Sequence, residues 1–424
     1  MSAVRDHVTP GRSDLHTLAS GGVLNVAGSV ANFLLQFLLV IVVTRVLRAE
    51  GAGLFFEAVA VFSILASAAQ LGADTGLVRT ISRFQVLGRT DDLRSILYVA
   101  IAPVLVVGSL YAVAVYVLAP QLADLLMHEA DLSDGVASLR LLAPFLPLAA
   151  ATTVALSGAR GFGTMLPYVA VEYVAKPMLR PLLVLVAVAL GFRSRGVVLS
   201  WAIPVAIGFP VALWAVLRLL RRSQRAERPP ATEPPRPLGA IVREFWAFAA
   251  PRGLATLFQI TIIWLSTLMV GALAGVREAG IYAAASRFAL VGLFALEAVR
   301  LAIAPQLSAL LAAHDRDRAE HLYQVGTWWI MIPSWPLYLS LAVFSPLLLQ
   351  IFGPEFVVAQ TALMIASLAM LVSMGTGNVT VILLMGGKSW WNLLNVLGAL
   401  TLNVLLNLYL IPRYGIAGAA LAWA

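Results

Sequence analysis

The chain is a run of long apolar stretches separated by short polar ones. Stretches long enough to cross a bilayer, about 20 residues each, fall at 21–43, 54–73, 96–118, 137–157, 167–190, 197–217, 247–273, 281–304, 325–350, 358–385 and 391–411. Each predicts a transmembrane helix, eleven in all, and a twelfth begins at Gly415. The opening of the sixth stretch, Gly196 to Ala202, is matched at an offset of 222 by Gly418 to Ala424, so the chain is expected to stop inside its twelfth span. The first stretch is too long for the core of a signal peptide and reads as a retained span. One segment, Arg221 to Pro237, is rich in Pro and Arg and poor in apolar residues. It cannot bury a core and reads as a solvated tether. The expected division is a tail at 1–20, a first lobe at 21–220, a linker at 221–242 and a second lobe at 243–424.

The polar positions inside the stretches carry a second pattern. Asn25, Ser29, Asn32 and Gln36 run i, i+4, i+7, i+11 and share one helix face. A shift of 227 carries them onto Arg252, Thr256, Gln259 and Ile263, and carries Gly53-Leu54-Phe55 onto Gly280-Ile281-Tyr282. The second half therefore repeats the first. Six spans is an even number, so the repeats run parallel, related by an axis along the membrane normal. An all-α membrane protein of about 12 helices in two pseudo-twofold-related lobes is expected. A polar stripe has no partner in lipid, so it should face a wet cavity or hydrogen-bond neighbouring helices.

Composition agrees. The chain is 60% hydrophobic and 12% charged, where soluble domains carry about 25% charged residues. Cysteine is absent, which excludes disulfides and thiolate metal sites. The net charge of +8 is nearly all Arg, and most of it falls in loops on one side if the N-terminus is cytoplasmic. That is the signature of membrane topology, not of nucleic-acid binding. Trp328, Trp329, Trp335, Trp390 and Trp391 sit near span ends, where Trp anchors at the interface.

Charges inside the spans are the candidate chemistry. A charge at a span centre costs about 2.5–3.5 kcal/mol on insertion scales, so it is rarely idle. Glu172, Lys176 and Arg180 lie four apart on one face of the fifth span, with Pro177 and Pro181 bending the helix beside them. Their surplus positive charge suits an anionic substrate; the plainer reading is snorkelling to headgroups. Arg252, beside Pro251, is a cavity residue or an interfacial anchor, and Arg287 is too deep in the eighth span to be a loop residue. Glu297 and Arg300 are spaced to pair. Asn392, Asn395, Asn403 and Asn407 read as packing contacts between helices. Glu57 and Asp74 bracket the second span, away from its centre, and are weak candidates for carrying a coupling proton or sodium ion.

Several motifs carry nothing. Gly386-Gly387-Lys388-Ser389 resembles the end of a phosphate loop, but Ile382 stands where the first Gly is required. Asp315-Arg316-Asp317 has no domain around it, and His128-Glu129 lacks the second His of a zinc site. No catalytic constellation is present, so an enzyme is not expected, and neither is a cofactor or a metal.

The chain resembles the Wzx-type polysaccharide-biosynthesis flippases, within the superfamily that also holds multidrug extruders and lipid II flippases. The resemblance rests on Gly51 to Phe55, Gly76-Leu-Val-Arg79 to Arg83, Ala279-Gly280-Ile-Tyr282 to Arg287, and Asn403 to Ala420. It implies two six-helix lobes in a V that move undecaprenyl-pyrophosphate-linked oligosaccharide outward across the bacterial cytoplasmic membrane by alternating access. The implied partners are that lipid-linked substrate, membrane lipids, a proton or sodium ion, and other polysaccharide-assembly proteins. Many relatives carry an acidic residue five before the glycine that is here Gly271; this chain has Ser266. The competing readings are a cation-coupled multidrug exporter, which calls for an anionic cavity, and a membrane polymerase or ligase, which calls for a large outer loop.

Overall fold

A computed structural model describes residues 12–128, 132–192, 194–225, 237–313, 315–385 and 389–424, with side chains placed from residue 27 onward in the first helix. Among these residues every regular element is helical. Seven helices are long and apolar enough to cross a membrane. They are fewer than the eleven apolar stretches because some spans are joined through kinks and others are broken into pieces.

The longest helix, α1 (Arg12–Gln70), holds the first two spans and folds back at Arg48, whose φ is 58°. After a break at Leu71 and Gly72, α2 (Ala73–Val86) continues the second span. The third span is α3 (Asp92–Leu126), and the fourth is α4 (Leu132–Leu142) with α5 (Leu146–Gly161). The fifth is built from α6 (Leu166–Tyr168), a π-helical turn (Val169–Ala175) and α7 (Lys176–Ala189). The sixth is α8 (Ser194–Arg225). Most of the Pro/Arg-rich linker, residues 226–236, lies outside the described residues, as does most of the N-terminal tail.

The second lobe repeats the plan. α9 (Leu238–Ala274) is the seventh span, and the eighth is split into α10 (Val276–Ala289) and α11 (Leu293–Ala312). The ninth is α12 (Arg316–Val343), capped by Asp315, whose carboxylate accepts from the Arg318 amide. Then come α13 (Ser345–Leu349), α14 (Gln360–Gly375) and α15 (Val379–Met385). α16 (Ser389–Trp423) is the eleventh span, with a turn at Gly415 (φ 55°) that begins the next.

The sequence repeat becomes a contact at the seam between lobes. Arg48 at the α1 kink and Gly275 between α9 and α10 are equivalent positions, and both have positive φ (58° and 108°). Just beyond them the two lobes cross at backbone distance. A methyl group on Gly280 would overlap the Ala49 carbonyl, and one on Gly53 would overlap the Val276 carbonyl. These two glycines, and these two carbonyls, are again 227 apart. Each lobe also caps the other: Ala49 donates its amide to the Glu355 carboxylate (3.1 Å) and Val276 donates to the His128 carbonyl (3.1 Å). Arg45 adds two bonds to the Gln350 and Ile351 carbonyls (2.8 and 2.9 Å). Phe37, Phe288 and Phe352 close behind them, with centroids 5.1–5.6 Å apart. This end of the molecule is shut.

At the opposite end α2 and α9 stay together. Gly253 packs directly on Leu71 and Gly72, Arg83 pairs with Glu244, and the Arg79 guanidinium lies 4.1 Å over the Phe248 ring. On the other flank the first leg of α1 meets α11 through the edge contact of Phe33 with Phe294, 4.9 Å between centroids. The residues of α1 are buried near the kink and lose cover from Leu38 back toward Ala27, so the space between the lobes opens away from the kink.

Candidate functional site

Between the lobes, behind the aromatic closure, lies a cavity of about 380 Å³. That is the range of small-molecule sites. Its walls come from both repeats: Gln36, Ser63, Thr153, Glu172, Lys176 and Arg180 on one side, and Trp264, Arg287 and Leu290 on the other. Phe33, Phe37, Phe55, Phe56, Phe62 and Trp201 supply apolar surface.

The cationic wall is set up by the fifth span. Pro177 has no N–H to give the Tyr173 carbonyl, and its ring crowds the preceding turn. The helix answers with the wide π turn at Val169–Ala175. That turn places Glu172 to accept from Lys176 at 2.5 Å. Lys176 is only 5% exposed, and Gly208 of α8 leaves the room its side chain occupies. Arg180, 8% exposed, donates to the Trp201 carbonyl (3.3 Å) and stacks 4.1 Å from the Trp201 ring. Across the cavity Arg287 stacks 4.7 Å from Trp264, and its Nε has no protein partner among the described residues. Both guanidiniums thus lean on an indole, which favours a weakly hydrated cation. The lining has three cations against one carboxylate, and Lys176 already holds that carboxylate. Arg287 also borders a second, mostly apolar cavity of about 190 Å³ within the second lobe, with Thr267, Tyr282 and Ser286.

The predicted site residues divide. Gln36, Glu172, Lys176, Arg180 and Arg287 share the cavity wall. Ser29 and Asn32 lie half-buried on the same leg of α1 as Gln36, and Asn32 Oδ1 is buried without a partner among the described residues. The Asn25 side chain lies outside the described residues. Arg252 and Gln259 are exposed, and the Thr256 hydroxyl turns back to the Arg252 carbonyl (3.1 Å); none of the three is part of the lining. The docking of Gly253 on Leu71 and Gly72 sets the rotation of α9 and takes that stripe away from the wall. Asn403 and Asn407 are packing contacts: Asn403 donates to the Ala422 carbonyl and Asn407 to Asn403 and to Ser266. Glu297 and Arg300 form a pair. Nothing in the sequence pattern marks Trp201 and Trp264 as the rings that support the two arginines, or Glu57 as fully buried.

A profile of polysaccharide biosynthesis proteins matches residues 18–311. The chain belongs to this family. A second profile, of the MatE family, matches residues 251–409 in the second lobe. Together they place it among multi-pass membrane transporters of the MOP superfamily. No curated protein is similar enough in sequence to match. Among solved structures, an inward-facing multidrug-resistance MATE transporter is similar over 92% of this chain and 90% of its own, at 14% identity and a TM-score of 0.70. The lipid II flippase MurJ, in an inward closed conformation, is similar over 94% and 84%, at 12% identity and the same TM-score of 0.70. A MOP-superfamily transporter of Pyrococcus furiosus with a binding pocket of reversed polarity follows at 15% identity, 96% and 90% coverage and a TM-score of 0.60. At such identities the likeness is one of fold: two helical lobes in a V.

Proposed function

We propose that the protein is a flippase for a lipid-linked oligosaccharide, carrying a pyrophosphate-bearing headgroup across the bacterial cytoplasmic membrane for cell-surface polysaccharide synthesis. The observation that carries this reading is the cavity's charge. Lys176, Arg180 and Arg287 face it from both lobes and only Glu172 opposes them. A sugar diphosphate cannot cross hydrocarbon unaided, because its hydroxyls and charges would lose their hydrogen bonds. A cavity with cations on both walls replaces that hydration. Arginine presents a fork that fits phosphate oxygens two at a time. The polyprenyl tail stays in lipid, leaving between the first leg of α1 and α11, where the lobes part beyond Phe33 and Phe294. With the linker end cytoplasmic, as the loop arginines suggest, the closed end faces outward and the cavity takes its load from inside.

The MatE match and the MATE neighbour point to a second reading, the export of cationic amphiphiles. The cavity's surplus positive charge speaks against it.

The test is export in cells carrying Lys176→Ala with Arg180→Ala, with protein amount in the membrane as the control. A charge-assisted hydrogen bond to phosphate contributes about 1.5–3 kcal/mol. The double variant is therefore expected to cut export by a factor of 10 or more and to accumulate the lipid-linked intermediate. Export at the full rate from normally inserted protein would refute the reading.

A further inference from the structure

The second lobe holds a cavity of its own, and the internal repeat accounts for it. The shift of 227 carries Gln36, Val40 and Phe55, which line the cavity between the lobes, onto Ile263, Thr267 and Tyr282, which line the cavity of about 190 Å³ beside Arg287. The shift of 222 likewise carries Trp201 of the first cavity onto Trp423 of the second. One fold, used twice, leaves one hollow in each half.

The two hollows differ in chemistry. The shift of 222 carries Glu172, Lys176 and Arg180 onto Leu394, Gly398 and Leu402, so the charges of the first cavity have no counterparts in the second. Helices α9, α10 and α14 wall the second cavity with Thr267, Ala285, Ala289, Leu363 and Ala366, all buried. Ile263 and Leu293 are exposed and mark its mouth. An apolar cavity of about 150 Å³ stays dry and admits benzene. This one has room for a single substituted ring.

Its lining carries one charge, Arg287, and no carboxylate among the described residues. The Arg287 Nε is buried without a partner among the described residues. The Ser286 hydroxyl gives its hydrogen to the Ala283 carbonyl (3.0 Å), which leaves the guanidinium as the strong donor on this wall. A buried donor without an acceptor is costly. A neutral hydrocarbon would fill the space and leave that N–H unmet. A cation would be repelled. An anion on an apolar body satisfies both the space and the charge.

We propose that the second cavity is a binding site for a small apolar acid, a compact ring or branched chain with one anionic group at its end. The apolar body enters past Ile263 and Leu293. The anionic end turns to Arg287 and accepts from Nε. Arg287 stands on the walls of both cavities, so a ligand held there takes the guanidinium away from an anion in the first. The site is therefore inhibitory. That consequence rests on the anionic cargo proposed above, while the binding itself does not.

The probe is para-trifluoromethylbenzoate, followed by fluorine NMR with the full chain in nanodiscs of zwitterionic lipid. Empty nanodiscs give the blank for partition into lipid. Saturable binding above the blank is expected. Ala366→Leu fills the cavity and Leu293→Trp covers its exposed rim; each should weaken binding about tenfold or more. Thr153→Leu, which fills part of the first cavity instead, should change it by less than about twofold. Arg287→Gln should remove the preference for the benzoate over the neutral para-trifluoromethylbenzyl alcohol. Uptake no greater than the blank would overturn the proposal. So would unchanged affinity in the Ala366→Leu and Leu293→Trp proteins, loss of binding in Thr153→Leu, or a preference for the acid that survives Arg287→Gln. The cargo is absent from every arm, so none of these results decides whether it is a lipid-linked glycan.

Discussion

At the scale of single residues, two kinds of position decide what this molecule can do. The first kind is small. Gly53 and Gly280 let two helices cross at backbone distance, and no larger residue fits without moving one lobe off the other. Gly280→Ala should destabilise the protein by about 1–3 kcal/mol, the usual cost of overpacking, read as a lower melting temperature in detergent. Gly239→Ala is the control: that site in α9 faces open space, so the melting temperature should hold or rise slightly. Equal behaviour of the two variants would show that the crossing is not close-packed. The second kind is charged. Lys176, Arg180 and Arg287 were legible in the sequence because charge is costly within a span and stands out there. Glu57 was not. Its distance from the span centre marked it as minor, and sequence does not show which side of a helix meets the other lobe. Ser266, where the resemblance leads one to expect an acidic residue, is buried against Asn407.

At the scale of elements, the unusual features are the breaks. The π turn before Lys176 follows from Pro177, and the bend was visible in the sequence, though its form was not. The break in the eighth span was invisible. Val291 and Gly292 interrupt the helix without any proline, and what holds the interruption is Tyr338 of α12. Its hydroxyl donates to the Ala289 carbonyl (2.6 Å) and accepts from the Gly292 amide (3.0 Å). These groups are more than forty residues away in the chain, beyond any local signal. Tyr338→Phe removes both bonds and leaves a buried carbonyl and amide unsatisfied, at a cost of about 1–3 kcal/mol. Hydrogen exchange of the amides from 289 to 296 should quicken while α3 and α5 are unchanged. Unaltered exchange there would mean that the break is maintained by other contacts. The predicted stripe on the seventh span, Arg252, Thr256 and Gln259, lies outside the lining of the cavity for a related reason. Its spacing gave one helix face correctly, but the rotation of α9 about its axis is set by Gly253 on Leu71 and Gly72, a contact between lobes.

At the scale of the whole molecule, the internal repeat was the most readable property, since a fixed shift of 227 joins Ala49 to Val276, Arg48 to Gly275 and Gly53 to Gly280. In space those pairs form one closed crossing, with each lobe capping a helix of the other. The two flanks below it are unequal: α2 stays on α9, while α11 turns off after the break supported by Tyr338. A basic cavity between repeated lobes, shut at one end, is what the account rests on, and its charge and wetness can be measured together. Single cysteines at Gln36 and at Ser63 should react with small hydrophilic thiol reagents from the linker side, and anionic reagents should react faster than cationic ones of the same size. No reaction except with apolar, membrane-permeant reagents, or a preference for the cationic ones, would contradict the account.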